Sequence, residues 1–488
     1  MKAMQISSFI AGEYVGVGGR NAFENINPAD GSVISHVIEA SADDVDRAVQ
    51  AAKRALKGPW GRLSVPERAR LLEKVAARIE ERFDEFLAAE VADTGKPVTL
   101  ASHLDIPRGA ANFRAFASVI ESAPTKGFTM RGPTGGDVIN YSLRTPKGVI
   151  AVVCPWNFPL LLMTWKVAPA LSCGNTVVVK PSEETPSTAS LLGDVMREVG
   201  IPDGVYNVVH GFGPNSAGEY LTSHPLVDAI TFTGECKTGE AIMRAAAAGT
   251  RPVSFELGGK NAGIVFADCN MEKAVDTTVR AIFMNAGQVC LHTERVYVER
   301  PFFEEFTAKV SARAKALKPG QPHDKSTTIG PLISAEHRKK VLGYYQKAAA
   351  AGARAHTGGG EFRMEGALAK GFWVEPTVWT GLDDGAAINR EEIFGPCAHF
   401  SPFDSDDEVV ARANDSDFGL AAMVLTENLT RAHRIAGQLE AGTCWINSWF
   451  LRDLRAPFGG AKRSGIGREG GVHSLEFYTE LKNVCVPI

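Results

Sequence analysis

Two α/β units, each a parallel sheet with helices on both faces, plus a small separate β element are what this sequence predicts. Three observations carry that reading. Short β-branched runs at residues 149–153, 176–179, 205–209, 229–232 and 253–255 alternate with longer helical patterns, an alternation that builds a parallel sheet covered on both faces. A second alternating series follows at 263–266, 295–298, 421–425 and 443–446, with a helix expected over 271–285. Two further runs, 138–144 and 476–486, stand apart from both series and read as strands able to pair at a subunit interface, because edge strands tend to be covered or shared.

Each element has its own local signal. Ser64-Val-Pro-Glu67 forms a capping box that opens a helix with apolar residues Leu72, Val75, Ile79, Phe83, Phe86 and Leu87 at helical spacing; Asp93-Thr-Gly95 ends it. The apolar stretch from Gly148 to Leu171 resembles a membrane span in length, but Pro155, Asn157, Pro159 and Lys166 interrupt it. It reads as strand, loop and buried helix.

Length and composition bound the function. A chain of 488 residues is too long for one ordinary domain. With 22% charged residues and a net charge of −4 it has no strongly basic face for nucleic acid, so small-molecule chemistry is expected. Eight cysteines are scattered without a C-x-x-C pair, which opposes zinc binding or a secreted disulfide framework. The N-terminus lacks the apolar core of a signal peptide. A cytoplasmic protein that neither binds nucleic acid nor enters a membrane is the expectation.

The chemistry-bearing residues lie in Gly-rich frames. Glu256 sits in Phe255-Glu-Leu-Gly-Gly-Lys260, and Cys290 closes Asn285-Ala-Gly-Gln-Val-Cys290, 34 residues downstream. An ionised Cys is a strong nucleophile, and a nearby Glu can deprotonate the water that releases a covalent intermediate. Gly465-Ile-Gly467-Arg-Glu-Gly470 matches G-x-G-x-x-G, yet only 18 residues follow it. That is too few for the helix, strand and acidic residue that give the motif meaning, so a loop is expected. Lys180 and Glu183 stand at the end of a predicted strand, where open parallel sheets place ligands. Both can reach an adenosine ribose, and Glu183 would repel a 2′-phosphate, favouring NAD; a surface ion pair is the competing reading. Phe232-Thr-Gly234-Glu-Cys-Lys-Thr-Gly239 opens a helix whose backbone donors could face a pyrophosphate, and an ordinary strand-to-helix turn fits it as well.

Taken together, Cys154-Pro-Trp156-Asn157-Phe-Pro159, Lys180-Pro-Ser-Glu183, Phe255-Glu256-Leu-Gly-Gly-Lys260, Gly287-Gln-Val-Cys290 and Glu391-Glu392-Ile-Phe394-Gly-Pro396 resemble the NAD(P)-dependent aldehyde dehydrogenase superfamily over nearly the whole chain. The resemblance implies a Rossmann-like NAD-binding domain (1–123 and 147–256), a second α/β catalytic domain (257–473) and a small β oligomerisation element (124–146 and 474–488), assembled as a homodimer or homotetramer. It implies that Cys290 attacks an aldehyde and that the Asn157 amide and the Cys290 backbone N–H hold the oxyanion. Hydride then passes to NAD, and Glu256 activates the water that hydrolyses the thioester. Cofactor contacts are implied at Trp156, Lys180, Glu183, Gly213, Gly234, Glu392 and Phe394, with no metal. Lys166 resembles a lysine near the active-site aspect of its helix. Family members often carry Gly-Ser-Thr where this chain has Gly234-Glu235-Cys236, so Glu235 must point away from the pyrophosphate or the cofactor must sit differently.

For substrate class two arginines stand out, Arg108 and Arg452: a guanidinium can hold a carboxylate through two parallel hydrogen bonds, and taken alone each fits a surface or ion-paired residue better. Their contexts, with Trp165, Trp449-Phe450 and the segment from Gly470 to Glu480, resemble the 2-hydroxymuconic semialdehyde dehydrogenases and the related 2-aminomuconic enzymes. That resemblance implies an aldehyde bearing a distant carboxylate. Another aldehyde such as betaine aldehyde is the alternative within the class, and a hydrolase or a non-catalytic protein are the alternatives outside it.

Overall fold

The computed structural model describes residues 4–16, 21–133 and 135–488. Its first large sheet has eight strands, in the order 465–466, 253–256, 229–233, 149–153, 176–180, 206–208, 8–10 and 13–15. The five central strands are parallel. Val149–Val153 and Thr176–Lys180 are buried along their whole length, which is why they read as unbroken β-branched runs: both faces are covered by helices. Chain order reverses at Val149–Val153, which pairs with 176–180 on one side and 229–233 on the other. Ligands in open parallel sheets bind beyond the strand ends at such a reversal, and the segment leaving this strand is Cys154-Pro-Trp-Asn157.

The second sheet has seven strands, ordered 354–357, 377–380, 397–403, 293–299, 261–265, 421–425 and 443–446, parallel except for the 354–357 edge. Leu257-Gly-Gly-Lys260 links the sheets, so Glu256 ends a strand of the first sheet while Cys290 immediately precedes 293–299 of the second.

Several sequence expectations need correction. The helix opened by Ser64 carries its capping box but divides at Arg82 into Val65–Glu81 and Phe83–Thr94. Arg82 takes a non-helical conformation there while its guanidinium reaches Glu85 and Glu198. Gly95 ends the second piece in the left-handed region, φ 66°. The expected strand at 476–486 begins only at Thr479, because Glu476–Tyr478 finish the helix Gly471–Tyr478. It and Asp137–Pro146 do not await a partner subunit to form a ladder: they pair with each other over nine residues, and Gly127–Arg131 completes a three-stranded antiparallel sheet. Within the loop expected at 465–470, Gly465–Ile466 forms a short strand on the edge of the first sheet. Among the described residues no helix is long and apolar enough to cross a membrane.

Candidate active site

A cleft of about 370 Å³ opens where the two sheets face each other, and Trp156, Asn157, Glu183, Gly234, Glu256, Cys290, Glu392 and Phe394 all line it. Lys180 does not, but its Nζ lies 3.0 Å from Glu183 on the rim. Gly213 lies on a separate loop, where an added Cβ would meet nothing within 4 Å. Glu235 borders the cleft with its side chain exposed to solvent.

The nucleophile loop is strained and firmly held. Asn285, Ala286 and Gly287 are successive left-handed residues with φ 52°, 54° and 71°, and for the two non-glycines this conformation costs about 1–2 kcal/mol each. Gln288 holds the loop closed: its amide donates to Asn285 O at 3.1 Å and accepts from Ile333 N at 2.9 Å. A Cβ on Gly287 would collide with the backbone of Gly395. From behind, the Asn261 amide donates to the carbonyls of Cys290 (2.8 Å) and His292 (2.7 Å).

Asn157 is fixed from three directions. Its carbonyl accepts from Lys96 Nζ at 2.9 Å and from the Asn285 amide at 3.1 Å, while its own Nδ2 donates to Gln288 O at 3.0 Å. A primary amide has two N–H donors, so a second remains for a developing oxyanion. Lys96 is itself neutralised in the interior, 2.6 Å from Asp105 and 3.8 Å from Glu90.

Electrostatics separate the two reacting groups from their surroundings. Glu256 is 3% exposed, and neither carboxyl oxygen has a hydrogen bond of normal geometry. Burial pushes its carboxyl up to about 7, partly offset by the Cys290 thiol and by Lys166. Burial and the facing Glu256 carboxylate hold the half-buried Cys290 thiol well above the usual thiol range. The pair therefore rests with its proton on sulfur. A base poised near neutrality is suited both to taking that proton and to activating water.

Beside them, Lys166 Nζ and Trp165 Nε1 each donate to Glu469 at 2.7 Å. The Arg452 guanidinium stacks between the rings of Trp165 (4.8 Å) and Phe458 (3.7 Å). Arg452 has no ion pair among the described residues, its Nη2 is a buried donor without a partner, and its charge acts on both Cys290 and Glu256. Arg108 adjoins it, and Arg108 Nε is likewise buried and unpartnered. Burial, with Arg452 beside it, lowers Arg108 to about 10. The nearest countercharge, Asp453, is already gripped by Arg455. The structure thus brings the two predicted arginines together, Arg452 acting on the thiol and Arg108 beside Arg452, outside the cleft that holds most of the other predicted residues.

The residues present fit a dinucleotide. Gly258 leaves room for the Glu392 carboxylate, which accepts from Gly259 N at 2.8 Å and faces the cleft. The N-terminus of the 12-residue helix Cys236–Ala247 opens beside Gly234. Phe394 meets Trp156 edge-on at 5.4 Å, giving an apolar wall. Sequence reasoning missed Glu184, His337 and Lys340, which also line the cleft. His337 and Lys340 ride on a helix capped by Ser334 with no glycine frame to mark them; the helix periodicity itself was the only available signal.

Comparison with known proteins gives the family. The model of the aldehyde dehydrogenase family matches residues 14–484. A 2-hydroxymuconic semialdehyde dehydrogenase of Pseudomonas sp. (strain CF600) is 64% identical, the match covering 99% of this chain and 100% of that protein. A 2-aminomuconic 6-semialdehyde dehydrogenase of Pseudomonas sp. is 56% identical over 99% of this chain and 98% of that one. The solved NAD+ complex of an aldehyde dehydrogenase from Bacillus cereus superposes with a TM-score of 0.94 at 40% identity, covering 99% and 97% of the two chains. The chain belongs to the aldehyde dehydrogenase family, with its Rossmann-like cofactor domain, catalytic domain and small β element, and is an NAD-dependent aldehyde dehydrogenase.

Proposed function

We propose that the substrate is 2-hydroxymuconic semialdehyde, oxidised to the corresponding dicarboxylate. The observation that carries this reading is a pair of adjoining arginines with unpartnered buried donors, Arg452 acting on Cys290 and Glu256 and Arg108 beside it. Partly buried cations without counterions are costly, and a substrate carboxylate would supply the missing charge through charge-assisted hydrogen bonds. The relatives at 64% and 56% identity carry the names of 2-hydroxymuconic and 2-aminomuconic semialdehyde dehydrogenases, which supports a muconic semialdehyde as substrate. The 2-amino compound is the second reading, since those relatives divide between the two.

Cys290 loses its proton to Glu256 and attacks the aldehyde carbon, forming a thiohemiacetal. The spare Asn157 N–H and the Cys290 backbone N–H hold the resulting oxyanion. NAD supplies the hydride acceptor that turns this adduct into a thioester. Arg108 and Arg452 hold the far carboxylate, fixing the aldehyde at sulfur while Trp165 and Phe458 fix the plane of the Arg452 guanidinium. Glu256, once it has passed the first proton on to solvent, takes a proton from water, which attacks the thioester and frees the Cys290 thiolate. Trp156, Glu392 and Phe394 hold the cofactor's nicotinamide end, Glu183 its adenosine ribose.

The proposal extends to assembly as a homodimer or homotetramer through the segments 124–146 and 474–488, with 1–123 and 147–256 as the cofactor domain and 257–473 as the catalytic domain. Phe128 and Leu481 in the three-stranded sheet are 64% and 62% exposed, and apolar side chains so displayed favour burial against another subunit. All eight cysteines are free, in keeping with a cytoplasmic site of action.

A steady-state comparison of 2-hydroxymuconic, 2-aminomuconic and uncharged aldehydes of similar length tests the substrate reading. It predicts the highest kcat/KM for the hydroxy compound. Equal turnover of uncharged aldehydes contradicts it.

A further inference from the structure

Glu294 is buried in the second sheet, four residues after Cys290, at 2% exposure. Its carboxylate accepts from the backbone N–H of Ile393 at 3.1 Å and of Phe394 at 2.9 Å, and it ion-pairs with Lys260. These partners come from two segments that converge on one residue. Lys260 follows Gly259, whose N–H holds the Glu392 carboxylate. Ile393 and Phe394 follow Glu392 directly. Phe394 has a left-handed backbone, φ 63°, a strained conformation for an aromatic residue that persists only where its surroundings impose it. The two N–H bonds to Glu294 impose it from below, and His337 Nε2, 2.8 Å from Phe394 O, from the other side.

We propose that Glu294, charge-balanced by Lys260, is the positioning residue of the cofactor clamp: it fixes the turn that aims Glu392 and Phe394 into the cleft. The inference rests on the reading that Glu392 and Phe394 hold NAD. Glu294 does not touch cofactor or substrate. Burial alone would raise its carboxyl, but Lys260 and the neighbouring His292 keep it down at about 2, so the post stays charged across the working pH range and does not act as a switch. Without it, two buried N–H groups are left unpaired, the left-handed turn at Phe394 relaxes, and the Glu392 carboxylate loses its fixed aim.

The test compares Glu294→Met, the charge-neutral double variant Glu294→Met with Lys260→Met, and Glu392→Gln, each as the full-length enzyme. The double variant avoids stranding a buried ammonium and so remains informative where the single one does not fold. NAD dissociation constants come from calorimetry, and ester hydrolysis without NAD reports the Cys290–Glu256 pair independently of the clamp. The inference predicts that the double variant, with a native circular dichroism spectrum, binds NAD at least about tenfold more weakly, while ester turnover falls far less. It also predicts a larger primary deuterium isotope effect on kcat with a deuterated aldehyde, because a loosely aimed clamp slows hydride transfer. Native NAD affinity in the folded double variant alongside weakened binding in Glu392→Gln overturns the role of Glu294 and leaves the clamp standing. Native affinity in both overturns the clamp reading and the inference with it, and parallel losses of NAD binding and ester turnover reduce Glu294 to a general support of the fold.

Discussion

Two sets of buried charges meet at this active site, and they are built in opposite ways. Behind the reacting groups, Lys96 with Asp105, Lys166 with Glu469 and Lys260 with Glu294 are all ion-paired in the interior. In front, Glu256, Arg108 and Arg452 form no ion pair among the described residues, and each carries a buried polar atom with no protein partner, as Asp105 Oδ1 does on the paired side. Desolvating an ion is repaid only by good pairing, so the first set can be scaffold and the second cannot. Unpaired groups persist where a ligand or a reaction completes them. The difference separates positions: Lys96 fixes Asn157 and Lys166 fixes Glu469 beside Glu256, while on the proposed reading the unpaired trio meets water and substrate.

Breaking each side in turn sharpens the contrast. The largest expected effect is from Cys290→Ala, which removes dehydrogenase and ester turnover together by about 10⁴-fold or more; residual NAD reduction within tenfold of the native enzyme contradicts the assignment of the nucleophile. Glu256→Gln follows, slowing thioester hydrolysis by about 10²–10⁴-fold, and stopped-flow absorbance is expected to show one rapid equivalent of NADH before slow turnover. On the paired side, Lys166→Met strands Glu469 and is expected to destabilise the fold by about 3–5 kcal/mol, read by denaturant titration. Because that variant also removes a positive charge from the neighbourhood of Glu256, its pH profile is expected to shift upward.

The smallest effect concerns pH. With its carboxyl held up to about 7 by burial, Glu256 is protonated and inactive as a base at lower pH, so kcat is expected to rise with pH through about 7 and then level. Stability runs the other way. The folded pKa lies above the ordinary value of 4.5, so the native state binds this proton more tightly, and stability falls as pH rises from about 4.5 to about 7. Glu256→Gln is expected to remove that slope and to raise stability at pH 8 by an amount on the order of 1–3 kcal/mol.

How much of this was legible in the sequence follows from how local each cause is. The strand Val149–Val153 and the capping box at Ser64 depend on neighbouring residues and appear where the pattern puts them. Cys290, Glu256 and Glu392 stand in glycine frames because the backbone must pass close to other groups there: Gly258 beside Glu392 and Gly287 beside Gly395. Phe477 and Tyr478 have strand propensity, yet they pack as the end of a helix, with Tyr478 buried in the first domain's core. The ion pairs behind the site join residues that are distant in sequence, such as Lys166 with Glu469, and nothing local marks them. The arginines were visible as arginines, but the lack of partners that gives them meaning exists only in three dimensions.

The most direct test of the claim that unpaired buried charges mark the substrate is a thermodynamic cycle on kcat/KM. The wild-type enzyme, Arg108→Ala, Arg452→Ala and the double variant are each assayed with 2-hydroxymuconic semialdehyde and with its carboxamide analogue. The account predicts a loss of about 10–100-fold per arginine for the carboxylate and a change of less than about threefold for the carboxamide. Equal losses on both substrates would contradict it.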